Sequence, residues 1–142
     1  MPSASLPTST QSPIKAHIIF VCILLAYIAS LLFNINEISV HHKEVFGLFY
    51  SDEVLFKVAR FAHTNFGGDD FALRAPFLCL HSINVVLFYV ICLDYFKKPY
   101  DSVLCTLTFM FLPGLMFNSI LISKSNLVIF IALLCVLWQG EF

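Results

Sequence analysis

Ser39-Val40-His41-His42-Lys43-Glu44 sets two imidazoles and a carboxylate within about one helical turn, and Asp52-Glu53, His63, Asp69-Asp70 and Arg74 follow before the next long apolar run. A carboxylate held at a surface can take the proton from an acceptor hydroxyl or amine, which is the work of a general base. Glu44, Asp52 and Glu53 are the candidates for that role. His41 and Glu44, spaced i,i+3, offer two ligands to one divalent ion. A third would have to come from Asp52, Glu53 or His63, and no second spaced motif brings one in, so no metal site is assigned. Asp70 stands four residues before Arg74, which puts a carboxylate and a guanidinium on one helix face and predicts a pair that fixes the chain's angle of entry into the following helix. Arg74 is also the candidate for contact with a substrate or lipid phosphate.

These residues belong to one stretch, Asn34 to Pro76, which holds ten of the charged side chains and three of the five histidines in a chain of 142 residues. Apolar segments flank it. Ala16 to Phe33 is 18 residues without a charge and Val103 to Ile122 is 20, roughly 27 and 30 Å of helix at about 1.5 Å per residue, the thickness of a hydrocarbon core. Composition agrees: 59 % of residues are hydrophobic, 12 % are charged and the mean hydropathy is +0.87, where soluble domains average about 45 to 50 % apolar and about 25 % charged. The net charge of −1 and the lack of any Lys/Arg cluster beyond Lys97-Lys98 argue against a nucleic-acid partner. All five cysteines lie in apolar segments without CxxC spacing and read as small buried hydrophobes.

The predicted fold is all-α: a polytopic membrane protein with three full and one short transmembrane helices, at about 16–33, 75–96, 103–122 and 127–142. Residues 1–15, rich in Ser, Thr and Pro, form a disordered tail, and residues 34–74 form a surface loop of interfacial amphipathic helices. In that loop Ser51 is placed to cap a helix with Leu55, Val58 and Ala62 on its apolar face, Glu53 and Lys57 to pair at i,i+4, and Asn65-Phe66-Gly67-Gly68 to end it. The first apolar run is read as an uncleaved helix, because it is long for a signal peptide and no small-residue cleavage site follows. His81 and Asn84, polar residues within an apolar helix, are expected to bond to neighbouring helices. Pro99 makes the second and third helices a hairpin, Pro113-Gly114 predicts a kink in the third, and Ser123 to Asn126 form a polar turn. The fourth run is 16 residues, which predicts a stunted helix or the front portion of a longer protein whose remaining helices come from elsewhere. The basic pair Lys97-Lys98 beside two helix ends orients the chain with its amino terminus in the cytoplasm and the first loop outside.

Phe66-Gly67-Gly68-Asp69-Asp70-Phe71-Ala72-Leu73-Arg74-Ala75-Pro76, followed by an apolar helix containing Tyr89 and then a basic hairpin, resembles the front of a C-type membrane glycosyltransferase. More narrowly, it is similar to the protein mannosyltransferase and aminoarabinose transferase branch, where a Phe-Gly, a few polar residues and a Leu-Arg-x-Pro element lead into the second membrane helix. The resemblance implies sugar transfer from a polyprenyl-phosphate donor to a lipid, glycan or protein acceptor. It also implies a non-cytoplasmic first loop with an Asp-Glu pair near its start, for acceptor activation or metal binding. Asp52-Glu53 has the residue types of that pair, whereas Lys43-Glu44 fits the order of elements. Four helices are part of such an enzyme, so the chain alone is expected to be inactive. The alternative is a small non-catalytic membrane protein, an assembly or interaction subunit whose loop is a docking surface.

Overall fold

The structure, a computed structural model, describes residues 13–35, 48–119 and 121–140, without the side chains of 117 and 118. All regular structure among these residues is helical, in the order α1 (Pro13–Asn34), α2 (Val54–Asn65), α3 (Asp70–Phe96), α4 (Pro99–Met110), α5 (Pro113–Asn118) and α6 (Lys124–Gly140). Two helices, α1 and α3, are long and apolar enough to cross a membrane. Residues 13–15, expected in the tail, form the first turn of α1.

Helix α1 buries Ala16, Phe20, Tyr27 and Leu31, a set close to the 3.6-residue period, against Leu78, Val85 and Tyr89 of α3 and Val103 and Met110 of α4. The Phe20 and Tyr89 rings stack with centroids 3.8 Å apart, and the Tyr89 hydroxyl bonds His17 Nδ1 at 2.8 Å. Helix α3 is the spine, in contact with α2, α4 and α6. It starts five residues before the expected position because Asp69, in extended backbone, takes the N-cap place, and Pro76 is carried inside the helix. At the other end Lys97 adopts a left-handed φ of 54° and donates its N–H to the Leu93 carbonyl at 3.0 Å. Pro99 then opens α4 at a position where a missing N–H costs nothing. The hairpin expected here is the one observed, with Phe88 and Phe109 stacked across it.

The segment expected to be one kinked helix, 103–122, is broken. Phe111 closes α4, and Leu112 sits at φ −62° and ψ 121°, the extended backbone that a following proline imposes on its predecessor. Pro113 thus begins a new helix, with the Leu112 carbonyl accepting from Leu115 and Met116 N–H, each at 3.0 Å. The polar turn expected at 123–126 is also displaced. The Ser123 hydroxyl accepts the Ser125 N–H at 3.2 Å, so Lys124, Ser125 and Asn126 are already the first turn of α6. From there α6 runs back along α3, and a Cβ placed on Gly140 would lie 3.9 Å from Asp94 Oδ2.

Burial departs from that of a water-soluble bundle on two counts, although the interior is still mainly apolar. Arg74, His81, Asn84, Ser102, Thr106, Ser119 and Asn126 are buried, while Ile14, Val21, Leu25, Leu104, Val128, Leu134 and Trp138 are exposed. Only about a fifth of the apolar stretch of α1 is covered by protein, so most of its side chains face the surroundings.

Candidate functional site

Among the described residues, polar side chains gather in two places, one inside the bundle and one at its loop end. Inside, the Tyr27 hydroxyl of α1 bonds His81 Nε2 of α3 at 3.1 Å and also lies 3.3 Å from the Met110 carbonyl at the end of α4. One turn further along α3, Asn84 Nδ2 donates to the Asn126 carbonyl of α6 at 2.9 Å. His81 and Asn84 therefore do what their positions predicted, and between them they connect α3 to α1 and α6. Ser102 and Thr106 turn their hydroxyls to the Lys98 and Ser102 carbonyls of their own helix, at 2.9 and 2.8 Å. Each of these groups gains a partner that an apolar setting would otherwise deny it.

At the loop end, α2 lies against the start of α3 through Ala59, Leu73 and Phe77, with Leu55 and Ile122 beside them. The buried face of α2 is Ala59 and Ala62, with Leu55 half-buried beside them; Val58, expected there, is exposed. Small alanines win the contact because they let two helix backbones approach closely. Between α2 and α3 the chain turns through Gly67 and Gly68, whose φ values of 117° and 78° are left-handed. Gly68 donates its N–H to the His63 carbonyl at 3.0 Å. A Cβ on Gly68 would meet His63 Cε1 at an ordinary 3.9 Å, so backbone conformation, not space, calls for glycine.

This corner encloses an open pocket of about 450 Å³ lined by Leu48, Phe49, Arg60, His63, Thr64, Asp70 and Leu73. Arg60 Nη2 donates to the Ser51 carbonyl at 2.9 Å. The Thr64 hydroxyl is committed to the Arg60 and Phe61 carbonyls at 2.9 and 3.0 Å, so it forms wall rather than donor. The pair expected between Asp70 and Arg74 does not form: Asp70 is exposed on the pocket rim. Arg74, fully buried, donates from Nη1 to the Ile35 carbonyl at 2.9 Å, tying the end of α1 to the first turns of α3. An i,i+4 spacing places two residues on one face, but here the face is buried at 74 and has passed the edge of the packing at 70.

The three candidate bases part company. Glu53 bonds Lys124 Nζ at 2.8 Å rather than pairing with Lys57. Lys57 lies 3.8 Å from Asp52, whose side chain is 99 % exposed and the most open of the described candidates. Glu44, with His41, His42 and Lys43, lies outside the described residues. Among the described residues no three His, Cys, Asp or Glu side chains come together to hold a metal ion, and Glu53 is engaged by Lys124. Sequence reasoning missed Arg60, whose i,i+3 spacing from His63 was the available signal, and missed Tyr27 and Asn126 as partners in the interior. Comparison with family models, with curated proteins and with solved structures finds no match to this chain.

Proposed function

We propose that this chain is a multi-pass integral membrane protein and the front portion of a glycosyltransferase that uses a polyprenyl-phosphate sugar donor. The many exposed apolar side chains, most of α1 among them, support membrane placement, since such side chains are stable in lipid and costly in water. Three crossings are α1, α3 and the interrupted pair α4–α5, and the shorter fourth is α6, which extends from Lys124 beside Glu53 to Gly140 beside Asp94. The short basic turn at Lys97-Lys98 is cytoplasmic and the loop end is not.

The observation that carries the catalytic reading is the position of Asp52: an exposed carboxylate in the segment that leads into α2, the helix that walls the loop-end pocket. In the complete enzyme Asp52 takes the proton of the acceptor hydroxyl as its oxygen attacks the anomeric carbon. The bond from that carbon to the phosphate oxygen breaks, and polyprenyl phosphate leaves with the electron pair. Glu53, held by Lys124, fixes the loop over α6, and Arg74 positions the entry to α3. In the full-length enzyme Asp52→Asn lowers sugar transfer by about 10²- to 10⁴-fold, the usual contribution of a general base; unchanged transfer removes Asp52 from the role. Thr64→Cys is modified by an impermeant thiol reagent added from the non-cytoplasmic side; modification only from the cytoplasm reverses the topology.

The exposed apolar face of α6, with Val128, Ile131, Leu134 and Trp138, favours a second reading as a non-catalytic subunit that packs against further membrane helices. Normal assembly but no loss of transfer on changing any loop carboxylate selects it.

A further inference from the structure

Among the described residues, the lining of the loop-end pocket carries one cation, one anion and one imidazole that make no ion pair with one another. Arg60 spends one N–H on the Ser51 carbonyl, and its other donors are not engaged there. Asp70 has no hydrogen bond or ion pair among the described residues, and neither does the His63 ring. Three such groups around one cavity of about 450 Å³ are held apart by their helices: Arg60 and His63 share a face of α2, one turn apart, while Asp70 opens α3 beyond the Gly67-Gly68 turn. The rest of the described lining is apolar, Leu48, Phe49 and Leu73, apart from Thr64, whose hydroxyl is committed to its own helix. Phe49, Phe61 and Phe66 are exposed around this end of the molecule, where a rim of aromatic side chains suits the boundary between water and lipid.

A purely anionic ligand would satisfy Arg60 and meet uncompensated repulsion from Asp70, and a purely cationic one would do the reverse. We infer that the pocket binds a phosphate ester carrying a primary ammonium group, with the phosphate against Arg60 and His63, the ammonium against Asp70, and apolar substituents over Leu48, Phe49 and Leu73. The guanidinium fork matches two phosphate oxygens, and a carboxylate accepts directly from an N–H of a primary ammonium but not from a quaternary one. The pocket lies at the proposed lipid boundary, so a zwitterionic phospholipid headgroup and a soluble phosphoamine present the same recognised chemistry. The inference rests on the membrane placement proposed above and not on sugar transfer.

The test is lipid retention by the full chain in detergent, read by native mass spectrometry after equilibration with phosphatidylethanolamine, phosphatidylcholine or phosphatidylglycerol. Phosphatidylethanolamine is retained about tenfold better than the other two. Arg60→Ala lowers its retention about tenfold, and Asp70→Asn abolishes the preference over phosphatidylglycerol and phosphatidylcholine, as expected for loss of one charge-assisted contact. Asp70 is exposed, so its variant keeps the fold, and unchanged far-ultraviolet circular dichroism verifies this for both. Soluble phosphoethanolamine at equal concentration leaves the lipid bound if the diacyl part contributes, and displaces it if the natural ligand is soluble; either supports the recognised chemistry. Equal retention of all three lipids, or unchanged selectivity in Asp70→Asn, overturns it. Failure of the membrane placement shows separately, as release of the chain from membranes by alkaline carbonate, and absence of sugar transfer leaves the lipid result untouched.

Discussion

The interior network and the loop-end pocket use similar side chains to opposite ends. Inside the bundle, His81, Asn84, Ser102 and Thr106 are all buried and each is bonded to another helix or to its own backbone. At the loop end, Asp52, Asp70 and His63 remain accessible, and Arg60 keeps donors to spare. The difference follows from solvent: a polar group far from water must find a partner within the protein, whereas one at a boundary can stay open for a ligand. Polar residues at depth therefore hold helices together, and the loop end keeps its polar groups open.

Three substitutions sharpen that contrast, beyond the loss of transfer expected for Asp52→Asn. The largest effect on stability belongs to Arg74→Met, which leaves the Ile35 carbonyl without its charged donor and unfastens α1 from α3. The expected cost is about 2–3 kcal/mol, the value of a hydrogen bond to a charged group, measured by reversible unfolding in mixed micelles. Asn84→Leu removes the bond to the Asn126 carbonyl and costs about 1 kcal/mol, in the range of interhelical hydrogen bonds in membranes. A value near zero would mean that the buried network holds nothing. The smallest effect is that of Lys124→Ala. Its partner Glu53 and the ammonium are both substantially exposed, so solvent screening leaves about 0.5 kcal/mol or less, fading further in high salt. A larger loss would place Glu53 and Lys124 with the interior groups rather than the boundary ones.

Much of this division was legible in the sequence. Polar residues at 81 and 84 within an apolar helix announce bonds to other helices, and Pro99 after two lysines announces a hairpin. The partners were not legible, because Tyr27 and Asn126 lie 54 and 42 residues away from theirs and only packing brings them together. Pro113 was correctly read as a disruption, but its strength was underestimated: it forces Leu112 into extended backbone, and with no bonded turn across it the helix stops rather than bends. In the loop, spacing gave neighbours without saying which way the shared face turns. Asp70 and Arg74 are the clearest instance, one open and one buried. Lys57 similarly had two carboxylates within reach, and Lys124, remote in sequence, took the better one.

The turn at Lys97 and Lys98 leaves two residues between the last of α3 and the first of α4. A link that short ties the two helices end to end, so neither can swing away from the other without unwinding one of its ends, and on the membrane placement proposed above the two would enter a bilayer together.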